Sequence, residues 1–206
     1  MGSIKKELLS GVFYTAIAKY SGILISLIIT GVLARLISPD KFGIVAVVTV
    51  ITFFFSIFSD LGIGAAIIQN KELQQKDLNQ LFSFTVWSGC ILTLLFFLCS
   101  WPISFFYKEP SMRTITQLLA INLFFASANI VPNALLYKAK AFKFLAWRSL
   151  GVQITGGIIA ILAALGGAGL YALIINPILS SILLFIISYQ KYPQTLEMTW
   201  GIPSIR

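Results

Sequence analysis

Apolar residues gather into six long stretches, at residues 11–36, 42–68, 81–106, 115–137, 150–165 and 170–189, with short polar connections between them. A helix needs about 20 apolar residues to cross the hydrocarbon of a bilayer. The pattern therefore predicts an all-α, polytopic membrane helix bundle of six transmembrane helices. The connections carry their own stop signals. Ser38-Pro39-Asp40 reads as a tight turn, residues 71–77 as a solvated run, Glu109-Pro110-Ser111 as a helix break, and Gly166-Gly167-Ala168-Gly169 as a minimal hairpin. The first stretch follows Lys5 and Lys6 as a signal peptide would, but it is too long for one and lacks a small-residue cleavage site. It is read as a retained span.

Composition excludes a soluble enzyme of this size, since 58% hydrophobic and 11% charged residues leave too little polar surface to wrap a globule. Six spans also leave no room for a separate soluble domain. The net charge of +8 does not point to nucleic acid, because the basic residues flank the spans, where anionic headgroups and insertion topology account for them. One side carries Lys5, Lys6, Lys71, Lys76, Lys138, Lys140, Lys143, Arg148, Lys191 and Arg206, and the other carries Arg35, Lys41, Lys108 and Arg113. By the positive-inside rule the first side is cytoplasmic. Both termini then lie inside, and residues 193–206 form a short cytoplasmic tail.

The polar residues retained within spans are the candidates for function, because each is costly in hydrocarbon unless it faces protein, water or ligand. Lys19 and Asp60 sit eight positions from the same-side ends of the first and second spans. Both are then roughly 12 Å below the cytoplasmic boundary. Two readings stand side by side: a Lys19–Asp60 ion pair locking the hairpin, or charged groups in a water-filled cavity, with an anion at Lys19 and a proton or cation at Asp60. Helical spacing favours the cavity. Gly11, Thr15, Lys19, Gly22, Ser26 and Thr30 share a stripe on the first span; Thr49, Ser56, Asp60 and Gly64 share one on the second, interrupted by Phe53; Asn122, Ala126, Asn129 and Asn133 align on the fourth. Amides and an ammonium suit sugar hydroxyls and phosphate oxygens.

Other features speak of shape. Gln153, Gly157, Ala160 and Ala164 form a close-packing face on the fifth span, and Asn176-Pro177 predicts a kink in the sixth. Trp101, Phe105, Phe106 and Tyr107 at the outer boundary, and Tyr137, Trp147, Tyr189 and Tyr192 at the inner one, read as interfacial belts. The chain has no His and no Walker-type loop, and Cys90 and Cys99 read as inert buried thiols in an apolar span. No catalytic residue, metal site or cofactor is predicted.

Several segments together resemble one family. They are Leu33-Ala34-Arg35-Leu36-Ile37-Ser38-Pro39-Asp40-Lys41-Phe42-Gly43, then Asp60-Leu61-Gly62-Ile63-Gly64-Ala65-Ala66-Ile67-Ile68-Gln69, then Pro132-Asn133-Ala134-Leu135-Leu136 with the basic stretch after it, and the glycine hairpin leading into Leu170-Tyr171-Ala172-Leu173. In this order they resemble the polysaccharide flippases that export O-antigen or teichuronic acid units within the multidrug/oligosaccharidyl-lipid/polysaccharide exporter superfamily. The resemblance implies a carrier of the bacterial inner membrane that turns an undecaprenyl-diphosphate-linked oligosaccharide between leaflets by alternating access of two lobes. On it, Lys19 and Arg35 would face the diphosphate or acidic sugar, Asn122, Asn129 and Asn133 the sugar hydroxyls, and Asp60 would orient Lys19 or couple to an ion. Family members have about twelve to fourteen spans. This chain matches the amino-terminal lobe, as a truncated or half-size member that would work with a second six-helix lobe or a second copy of itself. A drug or cation antiporter of the same superfamily, and a non-transporting assembly subunit of a glycan-synthesis complex, are the competing readings.

Overall fold

A computed structural model of the chain describes residues 2–60, 62–70 and 72–196, apart from the side chains of residues 2–10 and Val12. The helices are α1 (Gly2–Leu36), α2 (Pro39–Asp60), α3 (Ile63–Gln69), α4 (Gln75–Tyr107), α5 (Pro110–Ala128), α6 (Ile130–Lys138), α7 (Phe142–Leu165) and α8 (Ala172–Lys191), the last entered through one tight turn over Gly169–Tyr171. Taken with α2 and α3 as one span and α5 and α6 as another, six segments are long and apolar enough to cross a membrane. No strand occurs among the described residues. Large side chains such as Leu24, Leu27, Ile28 and Leu94 are exposed around the bundle, as lipid-facing residues are.

Two of the spans are discontinuous. The second breaks after Asp60, where Gly62 takes the left-handed conformation with φ of 78°, which costs a glycine little and most residues more. The fourth breaks at Asn129, three residues before Pro132, whose missing N–H and ring disfavour a regular helix over the preceding turn. In the sixth span, α8 continues through Pro177. The fifth starts earlier than its apolar run indicates: Phe142, Leu145 and Ala146 already follow helical spacing, so the basic segment before residue 150 belongs to α7.

Packing runs in a chain of neighbours. α1 packs extensively against α7 alone, α7 continues onto α8, α8 onto α5, and α5 onto α4 and α2, while α3 lies against α6. Lipid tails are as apolar as the side chains, so close fit and polar ties, rather than water expulsion, hold such helices together. The fit is supplied by glycine. A Cβ on Gly157 would collide with Ile29 of α1, one on its neighbour Gly156 with the Asn176 amide of α8, and one on Gly89 would come within 2.7 Å of Ser127 Cβ. Adjacent glycines thus seat α7 between two partners. The Gln153 amide adds a tie, donating to the Gly22 carbonyl at 2.9 Å.

Several local expectations change. Tyr189 and Tyr192 turn inward instead of joining a belt: Tyr189 stacks near Phe82 and Phe185 and donates its hydroxyl to the Gln194 carbonyl at 2.8 Å, and Tyr192 packs on the same apolar cluster. The start of the tail docks as well. Gln75 donates to the Gln194 side chain at 2.9 Å and Thr195 N–H to Asn79 Oδ1 at 3.2 Å, so the chain is fastened to the first turns of α4 as far as Thr195. The remainder of the predicted tail, with Arg206, and the loop residue Lys71 lie outside the described residues. Cys90 is exposed on α4, not buried.

A polar cleft between α2, α5 and α8

Near mid-depth, Thr49, Thr52, Phe53 and Ser56 of α2 face Leu119 and Asn122 of α5 and Pro177 of α8 across a cleft of about 180 Å³. The spacing of seven between Thr49 and Ser56 puts both on one side of α2. Their hydroxyls, with that of Thr52, donate to carbonyls three or four residues back, at 2.7 to 2.8 Å. Each oxygen keeps lone pairs free to accept from a guest. Asn122 Nδ2 donates to the Pro177 carbonyl at 2.8 Å, which leaves its second N–H and its Oδ1 for other partners. Among the described residues the cleft is lined by no charged side chain. Its hydroxyls and amide can bind hydroxyl-bearing groups.

The remaining sequence-predicted residues lie elsewhere. The Asn stripe, drawn on a straight helix, does not survive as one surface. Asn129 sits at the break between α5 and α6, where its Oδ1 is buried with no hydrogen-bond partner. Asn133 instead accepts from Arg148 Nη2 at 2.9 Å. Asp60 closes α2 and turns its carboxylate onto the first turn of α3, accepting from the Gly64 N–H at 3.3 Å. Among the described residues it makes no ion pair with Lys19. The physical reason is that α1 leans on α7 and not on α2, so the first two spans do not form a packed hairpin. Lys19, Thr15, Ser26 and Thr30 are exposed along α1, beside the seam where Gly11 and Gly22 meet α7.

Arg35 is exposed in the last turn of α1. Sixteen residues separate it from Lys19, which places the two cations about 24 Å apart along the axis and about 160° apart around it. They cannot hold one diphosphate together.

Arg148 was counted among the loop cations, yet it is buried, with 9% of its surface exposed, about 9 Å into α7. Its guanidinium donates to Ser188 Oγ of α8 as well as to Asn133 of α6, and its Nε is buried without a partner. Among the described residues no carboxylate is bonded to it. Three helices are therefore tied at one cation, a relation that single-helix periodicity does not reveal. Lys138, also assigned to a loop, donates to the Asn70 carbonyl at 2.7 Å at the end of α3, where a cation complements the helix dipole.

Six hydrophobic spans around an uncharged polar cleft define a multi-pass membrane protein of the all-helical kind. The family model described as "Polysaccharide biosynthesis protein" matches residues 32–206, and the chain belongs to that family. It is similar to the "Lipopolysaccharide biosynthesis protein WzxC" of Escherichia coli (strain K12), 28% identical over 77% of this chain and 31% of that protein. It is also similar to the "Teichuronic acid biosynthesis protein TuaB" of Bacillus subtilis (strain 168), 27% identical over 59% of this chain and 25% of the relative. A third relative is the "Succinoglycan biosynthesis transport protein ExoT" of Rhizobium meliloti (strain 1021), 22% identical over 73% of this chain and 31% of its own length. The chain thus matches about a third or less of the length of these relatives. No solved structure matches.

Proposed function

We propose that this chain forms one six-helix lobe of a carrier that moves a lipid-linked oligosaccharide across the bacterial inner membrane by alternating access, acting with a second lobe or a second copy of the chain. On this reading it is not an enzyme, and both termini face the cytoplasm. The observation that carries the reading is the gathering of Thr49, Ser56 and Asn122 into one uncharged cleft at mid-depth, in a chain of a polysaccharide biosynthesis family. Hydroxyl and amide groups without a fixed charge suit a neutral sugar that must be held weakly enough to leave. The broken second and fourth spans support the reading, since discontinuous helices in transporters commonly border the substrate path. One relative is named a transport protein.

Within this proposal Asn122 meets sugar hydroxyls. Lys19, exposed on the polar side of α1, meets the phosphate from the side that a second lobe would close, with Arg35 serving a separate position near the opposite boundary. Asn129 and Asn133 act at the joint of the fourth span, and Asp60 shapes the break in the second. The test is flipping of a fluorescent undecaprenyl-diphosphate oligosaccharide in proteoliposomes carrying the chain, compared with Asn122→Ala and Lys19→Ala variants. Transport that falls at least severalfold in both supports the assignment, and unchanged transport in both overturns it.

A further inference from the structure

The cleft between α2, α5 and α8 is lopsided in its hydrogen-bonding chemistry. Thr49 Oγ1 donates its proton to the Val45 carbonyl, Thr52 Oγ1 to that of Val48 and Ser56 Oγ to that of Phe53, at 2.7, 2.8 and 2.7 Å. With their only protons committed inside α2, all three oxygens are left to accept from a guest. Helical geometry sets them within about 60° of one another around α2, at axial steps of about 4.5 and 6 Å, so they stand as a file of acceptors. Asn122 adds a fourth acceptor, Oδ1. Its amide also holds the one uncommitted side-chain donor among the described residues that line the cleft, its other N–H being given to the Pro177 carbonyl at 2.8 Å. Four acceptors therefore stand against one donor.

We propose that the cleft recognises the free hydroxyl groups of an unsubstituted sugar as hydrogen-bond donors, and that it excludes sugars whose hydroxyls are replaced by carboxylate or blocked by O-alkyl or O-acyl groups. The assignment rests on the sugar-carrier reading above and narrows it to a substrate class. A sugar hydroxyl both donates and accepts, so it can give its proton to Thr49, Thr52, Ser56 or Asn122 Oδ1 with no rearrangement of α2. A carboxylate brings acceptors only. It meets one N–H, and every further bond requires a Thr or Ser hydroxyl to leave its carbonyl. No cation among the described lining residues offsets the burial of its charge. An O-methyl or O-acetyl group has lost the donor hydrogen altogether and leaves the acceptors unmatched. A site built to bond a hydroxyl rejects the analogue that lacks it, because the polar groups of the site are then left unpaired. Thr52, only 7% exposed, is the member of the file least able to turn to water instead.

The test is titration calorimetry on the full chain in phosphatidylcholine nanodiscs, with empty nanodiscs as the blank. The probes are hexyl glucoside, hexyl glucuronide and hexyl tetra-O-methylglucoside. Hexyl glucoside is expected to bind saturably and at least fivefold more tightly than either of the others. Thr52→Val, close in shape but without the hydroxyl, and Ser56→Ala are each expected to weaken hexyl glucoside at least threefold with the helical circular dichroism intact. Should one variant not fold, the other decides. A preference below fivefold, no saturable binding of hexyl glucoside, or folded variants that bind it as the parent does would each overturn the proposal. Its failure is distinct from failure of the carrier reading. Flipping of the lipid-linked oligosaccharide without a probe preference sinks the donor assignment alone, whereas the stated preference in a chain that flips nothing sinks the carrier and keeps the site.

Discussion

Arg148 Nη2 and Asn133 Oδ1 lie 2.9 Å apart, joining a cation near the start of α7 to an amide in the short helix α6. The bond ties α7 to the second half of the fourth span, and Ser188 of α8 shares the same guanidinium. Among the described residues no carboxylate is bonded to this buried cation, and its solvation relies on the neutral acceptors Asn133 and Ser188. Removing an acceptor should therefore hurt more than removing the cation with it. Asn133→Leu is expected to cost about 1.5–3 kcal/mol, the range for a hydrogen bond to a charged group. Adding Arg148→Met to that variant should recover a large part of the loss, because the stranded charge is gone. Thermal melting of the detergent-purified variants measures both, and a double variant less stable than Asn133→Leu would contradict the account.

The seat of α1 on α7 makes a steric prediction. Gly157→Ala drives a methyl into Ile29, and overpacking of this kind costs about 1–3 kcal/mol. Ile29→Val removes the nearest carbon, so the pair should melt closer to the parent than Gly157→Ala alone. Gly89→Ala should lack a comparable rescue, since the atom it meets is Ser127 Cβ, fixed to the backbone of α5. Melting temperatures of the three variants decide it.

Asp60, two residues before the Gly62 N-cap, accepts from the Gly64 N–H in the first turn of α3 at 3.3 Å. Asp60→Ala is expected to destabilise by about 0.5–1.5 kcal/mol as one lost hydrogen bond, whereas Asp60→Asn, which keeps an acceptor oxygen, should remain near the parent. If Asn restores folding but not transport, the carboxylate charge has a role in the proposed carrier cycle beyond this hydrogen bond. Paired melting and flipping measurements separate the two.

Lys19 and its stripe border the α1–α7 seam, whereas Leu24 lies in a lipid-facing position. In a background with Cys90 and Cys99 changed to Ser, Lys19→Cys should react with a water-soluble maleimide and Leu24→Cys should not. Equal protection of both would place the stripe in lipid and remove Lys19 from the proposed substrate path.

The spans were legible because long apolar runs leave few alternatives, and the Thr49/Ser56 stripe was legible because α2 is regular over that stretch. Asn122 reached the cleft as the stripe implied. Asn129 and Asn133 did not stay with it, since Pro132 interrupts the helix on which the alignment was drawn. Arg148 was missed for a different reason: a cation within Lys143-Phe144-Leu145-Ala146-Trp147-Arg148 reads as a flanking charge until Asn133 and Ser188 are brought to it from two other spans. The Lys19–Asp60 pairing failed similarly, because spans adjacent in sequence were assumed to be adjacent in space. The choice of neighbour is not written in any single helix.

The attachment of α1 to α7 has a consequence for how the molecule is made. About a hundred residues are synthesised between the end of α1 and the start of its principal partner. During that interval the first helix must persist in the bilayer with its seam unfilled and Gly22 uncovered. A 35-residue helix with apolar side chains around most of its circumference tolerates such waiting, with Lys19 reaching toward the headgroups on its flexible stem. The last act of assembly on this side is then the arrival of α7, when Gly157 meets Ile29 and Gln153 finds the Gly22 carbonyl.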